Sequence, residues 1–264
     1  MTLKPRTKKD FERQTRSLGP NMQGVLMEHI DGSYAALLHQ LPFNPYSQYC
    51  LWEDDALVWR VNTLTSEASS HIIDPLRGLE SVTVRGIDAS FDVVKMTLDT
   101  LSLNSLLAEI NEDGMDKVFI RFVTPTSFKS KGSYVIMPSA RLVFQNLLMH
   151  YGQVYDNDRE GYFETIEYVD QNVRILSYSL RSSYFGNVAG GQKRIPAFVG
   201  TMTLGLRGQQ LTAGLARMLL RFGEFAGVGI KTSMGMGGFR CIAEWRRTHR
   251  ADATCRGKCM ATCG

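Results

Sequence analysis

The second half of the chain constrains the fold most, because two apolar helical patterns alternate there with four strand patterns in a fixed order. Residues 139–151 put Leu142, Val143, Leu147, Leu148 and Tyr151 on one helical face. Residues 209–226 do the same with Leu211, Leu215, Met218, Leu219, Phe222 and Phe225. Strand patterns occupy 117–123, 173–184, 195–206 and 239–245, with loops at 124–134 and around Gly190-Gly191. The order β-α-β-β-α-β is the ferredoxin-like split unit, shared with the RNA-recognition fold.

The first half follows the same order less clearly. Helical spacing runs through Met22, Val25, Leu26 and Ile30, breaks at Asp31-Gly32, and resumes with Ser33 as cap as far as Leu38. Two prolines make 41–47 irregular. Strands are expected at 49–52, 56–62, 81–85 and 91–101, and helices at 66–79, interrupted by Pro75, and at 102–110. Residues 1–17 are basic and poor in apolar side chains, and read either as an edge strand or as an unpacked arm. The expectation is an α+β protein of two tandem ferredoxin-like (RRM-like) domains, 1–116 and 117–248. They divide near Asn111-Glu112-Asp113-Gly114, and a disordered tail follows at 249–264.

Between the last helix and the last strand stands Gly227-Val228-Gly229-Ile230-Lys231-Thr232-Ser233-Met234-Gly235-Met236-Gly237-Gly238. Densely spaced glycines let backbone amides approach a ligand, and successive amides form concavities for phosphate oxygens. Gly227, Gly229, Gly235 and Gly237, with Lys231, Thr232 and Ser233, are therefore candidate anion contacts. The nucleotide motifs do not fit. No glycine precedes Lys231 as in G-x-x-x-x-G-K-[ST], and this loop runs from helix to strand, the reverse of a dinucleotide fingerprint. A plain helix-to-strand connection is the alternative reading.

Charge is divided unevenly. Residues 1–117 hold 11 Lys+Arg against 17 Asp+Glu, whereas 118–264 hold 19 against 9, so the half with the glycine loop is the basic one. A basic surface suits a polyanion, since neutralised phosphates release counterions. No apolar run approaches the roughly 20 residues of a membrane span, and no signal-peptide pattern opens the chain. A cytoplasmic protein with no membrane partner is expected. Five cysteines, three of them at Cys255, Cys259 and Cys263, imply no disulfide framework, and with only His249 nearby they imply no metal site.

Three passages together carry a resemblance that extends over nearly the whole chain. They are Leu38-His39 followed by Pro42-Phe43-Asn44-Pro45-Tyr46-Ser47, then Phe122-Val123-Thr124-Pro125-Thr126-Ser127-Phe128-Lys129, and the glycine loop. On these the chain resembles the CRISPR precursor-RNA processing endoribonucleases, the sixth family in the Cas naming series, within the superfamily of repeat-associated RNA-binding proteins. The resemblance implies cleavage of repeat RNA within a long CRISPR transcript, without metal or cofactor. The ribose 2′-OH attacks the adjacent phosphate and leaves a 2′,3′-cyclic phosphate and a 5′-hydroxyl.

Such chemistry removes one proton, donates another and stabilises a pentavalent phosphorane. Imidazole suits the proton steps because it titrates near working pH. His39 matches the family's histidine. Lys231 is the first candidate for stabilising the transition-state charge, and Tyr34, five residues before His39, is the second. Leu41 stands where the family often carries a basic residue. His29 reads as packing or as a partner of another group, and His71, His150 and His249 as structural or exposed. Lys129, Lys131, Arg141, Lys193 and Arg194 are expected to position RNA phosphates. The expected partner is CRISPR repeat RNA, with effector-complex subunits and a second copy of the chain as further partner classes. A repeat-RNA-binding subunit without catalysis is the second hypothesis, and a nucleotide-binding enzyme is the third, weakened by the lack of a Walker-type acid.

Overall fold

Each half of the chain builds its own antiparallel sheet and covers one face of it with helices. The computed structural model describes residues 1–6, 11, 15, 18–111, 117–155, 161–186, 194–207 and 210–242. In the first half β1 (Thr2–Pro5) is followed by α1 (Gly19–His29) and α2 (Gly32–Gln40), then by the hairpin β2 (Tyr46–Glu53) and β3 (Ala56–Thr63). A broken helical stretch comes next: α3 (Ser66–Ala68), a π turn at Ser69–Ile73, and α4 (Asp74–Arg77). The hairpin β4 (Ser81–Val84) and β5 (Ala89–Lys95) and the short α5 (Leu103–Ala108) close this half. The sheet order is β2-β3-β1-β5-β4, antiparallel throughout. Without β4 this is the ferredoxin order, and β4 is an added partner for β5.

The second half repeats the plan. β6 (Lys117–Thr126) leads into a small hairpin, β7 (Phe128–Ser130) with β8 (Ser133–Val135), and then into α6 (Ala140–Tyr155) and α7 (Tyr162–Asn172). The long hairpin β9 (Val173–Phe185) and β10 (Ile195–Leu206), α8 (Gln210–Ala226) and β11 (Phe239–Cys241) complete it. The order β11-β6-β10-β9 is the ferredoxin order without additions, so the α+β tandem expected from the sequence is the fold observed. Val143, Phe144 and Leu147 of α6 and Met218, Leu219 and Phe222 of α8 pack on Ile120, Phe122, Met202 and Leu204 of the sheet. A separate core, centred on Leu3, Met22, Leu26, Trp59 and Phe91, fills the first half.

Several local expectations are corrected. Residues 2–5 form the central strand, neither edge nor arm, because one fully buried side chain, Leu3, suffices between two longer neighbours. Asp31, not Ser33, caps α2, its carboxylate accepting the backbone N–H groups of Ser33 and Tyr34. β2 begins at Tyr46, inside the stretch read as irregular, since Pro42 and Pro45 both fall outside its ladder. β5 ends at Lys95, so the strand expected to reach 101 stops six residues early; Leu98 continues the alternation with no neighbouring strand and is exposed.

The 124–134 loop contains the β7–β8 hairpin, which turns at Lys131-Gly132 with positive φ at both residues. Helix α7 was not expected, because only Ile166 and Val169 mark its buried side. Leu211, assigned to the apolar face of α8, is 65% exposed. β11 ends at Cys241, and the tail with its three cysteines and His249 lies outside the described residues, as do most of the positions proposed for the domain boundary. No helix among the described residues is long and apolar enough to cross a membrane.

Candidate active site

Helix α2 presents His39 by simple periodicity. Tyr34 and Leu38, four residues apart, both turn into the core, so the residue after Leu38 faces outward, and His39 is exposed in the last turn. Tyr34 is placed differently from its candidate catalytic role. Only 4% of it is accessible, and its ring stacks on His71 with centroids 4.2 Å apart and planes 11° apart. Burial, with Glu67 adding to it, pushes the Tyr34 phenol above its ordinary value, so it stays protonated at neutral pH. Tyr34 is a core residue that anchors the helix carrying His39. His29, in α1, spends its Nδ1 on the Val25 carbonyl at 2.7 Å, as expected of a packing residue.

The segment after His39 runs directly to the glycine loop. Asn44 Nδ2 donates to Ser233 Oγ at 3.3 Å, and Ser47 Oγ donates to the Phe225 carbonyl at the end of α8. Gln48, fully buried in β2, donates from Nε2 to the carbonyls of Gly19 (2.7 Å) and Ser233 (3.1 Å), while its Oε1 accepts from Trp59 Nε1 (2.8 Å). Gly235 adopts φ +103° and lies so close to α1 that a Cβ there would sit 2.8 Å from the Gly19 Cα. The loop is thus the seam between the two halves. Through the Asn44–Ser233 contact it joins the chain that leaves His39 to the turn that follows Lys231.

Most of the loop's amides are already occupied. The N–H groups of Gly227, Val228, Ile230, Met234, Gly235, Met236 and Gly237 donate to backbone carbonyls, those of Gly229 and Gly238 to Asn146 Oδ1 (2.6 Å) and Thr124 Oγ1 (2.8 Å). The glycines therefore serve close packing more than an open phosphate cradle. The exception is the 3-10 turn Thr232–Met234, where the amides of Lys231, Thr232 and Ser233 meet no acceptor among the described residues. Thr232 and Ser233 are buried, and Lys231 is exposed in the left-handed region with φ 55°, its Nζ 3.5 Å from Met234 Sδ.

Basic side chains surround this point unevenly. Ser127, whose carbonyl accepts the Ile230 N–H at 3.0 Å, immediately precedes the β7–β8 hairpin, so exposed Lys129 and Lys131 stem from beside Lys231. Arg194 stands 5.7 Å above the ring of exposed Tyr184 at the start of β10. Arg141 is engaged elsewhere, 2.6 Å from Glu167 and 3.4 Å from Asp170 of α7. Lys193 lies outside the described residues. Among the described residues no three His, Cys, Asp or Glu side chains gather as a metal site. A cleft of about 780 Å³ opens between β3, residues 97–103 and α8, near Arg60, Asp99, Phe225 and Arg240, but none of the candidate residues lines it.

His150, read from the sequence as structural or exposed, is structural, but its contacts were not legible there. It is buried on α6 behind the loop, its ring packed at 4.3 Å on Phe43 and its Nε2 3.4 Å from Asn146 Nδ2. The one available signal was the i, i+4 spacing of Asn146 and His150 on an apolar helix face. Burial pulls the imidazole down to about 4, with the nearby backbone of Gly227 opposing the shift. An unfolded chain titrates this group near 6.5. Between the two values the unfolded chain holds a proton that the folded chain lacks. The stability contributed by the neutral ring is therefore complete above about pH 6.5 and is lost as pH falls towards 4, by at most about 3 kcal/mol. Urea midpoints at pH 7 and pH 4.5 measure this. His150→Gln, which does not titrate, is expected to show a flatter profile over that interval, and equal pH slopes in both proteins would refute the assignment.

Comparison with known proteins gives one consistent answer. The sequence pattern of the CRISPR-associated endoribonuclease Cas6 family matches residues 120–239. A protein of that description from Streptococcus thermophilus is 35% identical over 235 residues, covering 89% of this chain and 95% of its own length. Another, from Mycobacterium tuberculosis, is 39% identical over 229 residues, covering 85% of this chain and 71% of its own length. Among solved structures, a Cas6 product complex superposes with a TM-score of 0.71 at 22% identity over 91% of this chain and 98% of its own. Thermus thermophilus Cas6 gives 0.65 at 23%, over 91% and 96%.

Proposed function

The chain belongs to the Cas6 family of CRISPR-associated endoribonucleases, and from that premise we propose that it cuts CRISPR precursor RNA within each repeat by attack of a ribose 2′-OH on the adjacent phosphate. His39 moves the protons, and Lys231 stabilises the charge that develops on the phosphorane oxygens. The amides of Lys231, Thr232 and Ser233, with Lys129, Lys131 and Arg194, hold flanking phosphates. Tyr34 orients α2 from below. The observation that carries this reading is the Asn44–Ser233 contact, which ties the segment leaving the exposed His39 to the turn that presents Lys231. An open surface of this kind suits a polymer, whose phosphates can be gripped on either side of the reacting one.

The reaction as written breaks the P–O5′ bond and forms a P–O2′ bond. The 2′-hydroxyl proton passes to a base and the departing 5′-oxygen receives a proton, giving a 2′,3′-cyclic phosphate and a 5′-hydroxyl. An imidazole serves either transfer, because one ring nitrogen can accept a proton and the other can donate one. No metal or cofactor enters the scheme.

Incubating repeat RNA with the purified protein in EDTA tests it. One cut per repeat is expected, and an RNA with deoxyribose at the single residue upstream of the cut is expected to bind within about twofold of the all-ribose form and to remain whole. Cleavage of the deoxy substrate would remove 2′-OH attack. Binding without any cut of normal RNA would favour a non-catalytic subunit. The reading also places the reaction in the cytoplasm, takes effector subunits and a second copy of the chain as partners of the RNA-loaded protein, and divides the chain between residues 116 and 117.

A further inference from the structure

The buried face of α6 connects the two segments that carry His39 and Lys231. Asn146 and His150 stand one turn apart on that helix, and each reaches a different segment. Asn146 Oδ1 accepts the Gly229 N–H at 2.6 Å, two residues before Lys231. His150 supports the ring of Phe43, four residues after His39, at 4.3 Å and a 32° tilt.

The hydrogen-bond roles in this pair are forced. A backbone N–H only donates, so the Asn146 atom facing Gly229 is the oxygen, and the other end of the amide is its NH2. That NH2 also only donates, so His150 Nε2, 3.4 Å away, must accept and carry no proton. The ring is then the neutral tautomer with its proton on Nδ1, an atom sealed from solvent. A cationic ring would turn Nε2–H towards the Asn146 NH2, placing two donors face to face. The low pKa of the buried imidazole agrees with this arrangement.

A residue placed only for packing would not need an amide aimed at Gly229 or an imidazole held in one tautomer. Both features serve a fixed spacing between Phe43 and the loop. We propose that Asn146 and His150 are positioning residues: they hold Gly229 and Phe43 at a set separation, and so set the distance between His39 and Lys231. This rests on the assignment of His39 and Lys231 to the cleavage site.

The test is single-turnover cleavage of repeat RNA at saturating protein, alongside RNA affinity and thermal midpoint, for Asn146→Leu and Asn146→Asp. Leucine removes the acceptor for the Gly229 N–H, whereas aspartate keeps it. Because a displacement of about 1 Å costs on the order of a hundredfold in rate, Asn146→Leu is expected to cleave about 10- to 100-fold more slowly with affinity within about threefold of wild type. Asn146→Asp, which keeps the Gly229 acceptor but loses the NH2 donor to His150, is expected to recover part of that rate. A wild-type rate for Asn146→Leu, a rate for Asn146→Asp as low as for the leucine variant, or affinity falling in step with rate would each overturn the proposal.

Should Asn146→Leu fail to fold, His150→Phe decides in its place. It keeps a ring against Phe43 but loses the Nε2 acceptor; a rate about tenfold lower at unchanged affinity supports the proposal, and a wild-type rate overturns it. A His39→Ala control separates the two levels of inference. If that variant cleaves normally, the site assignment falls; if it is inactive while the α6 variants cleave normally, only the positioning role falls.

Discussion

His39→Ala is expected to lower single-turnover cleavage of repeat RNA by about 10²- to 10⁴-fold, the range measured when a positioned general acid or base is removed. The affinity for RNA and the thermal midpoint are expected to stay close to wild type, because the ring is exposed and surface substitutions of this kind usually change stability by no more than about 0.5 kcal/mol. A rate loss without a binding loss marks a group that acts in the transition state. Quench-flow cleavage and fluorescence anisotropy on the same RNA measure the two quantities. A His39→Ala protein that cuts near the wild-type rate would leave the proton transfers without an owner and would return the chain to the role of a repeat-binding subunit.

Gln48→Leu is expected to cost about 4 kcal/mol of stability, which for a chain of this size lowers the thermal midpoint by about 10 °C. Leucine matches glutamine closely in volume, so the loss comes from hydrogen bonding and not from a cavity. Two groups lose their partner at once, the Trp59 indole N–H and the Ser233 carbonyl, and the Gly19 carbonyl loses the bond it accepts from outside its helix. Each sits in a fully or largely buried position, where an unsatisfied polar group costs about 1–3 kcal/mol. Cleavage is expected to fall along with stability, since Ser233 belongs to the turn that presents Lys231. Differential scanning calorimetry would read the first effect, and a midpoint within about 2 °C of wild type would show that the amide does not join the halves.

The legible parts of the fold were those in which a local period encodes a global arrangement. Val143 and Leu147, or Met218, Leu219 and Phe222, recur at helical spacing because one helix face meets the sheet. The long strand pattern of β10, apolar at Ile195, Phe198, Val199, Met202, Leu204 and Leu206, marks a strand that lies between two neighbours. Where a period was short or absent the reading failed. β1 has four residues and one core side chain, α7 has two, and the β7–β8 hairpin is held by three residue pairs around Lys131-Gly132. Elements this small take their stability from tertiary contact, so their sequences need not advertise them.

The site divides in the same way. His39, Lys231 and the glycine loop stood out because their residue types are unusual in their settings. Tyr34 stood as the second candidate, yet its place four residues before Leu38 turns it inward onto His71. The amides of the loop looked open, yet Pro125, Ser127, Thr124 and Asn146 occupy four of them, and Gly223 and the loop's own carbonyls take five more. Asn146 and His150 gave almost no sign at all, because a polar pair on an apolar helix face declares its partners only once the loop and Phe43 have been folded against it.

The sequence by itself determined the second β-α-β-β-α-β unit and the outline of the first, the basic character of the second, the resemblance to the family, and the histidine and lysine on which the chemistry is placed, since each is written in local spacing or residue type. Only the tertiary structure decided that the glycines pack the halves together, that Gln48 joins Trp59 to Ser233, and that a neutral His150 lies behind the loop. Those facts depend on contacts between residues as far apart in sequence as Gly19 and Gly235, and no local period reports whether a group so distant has found its partner.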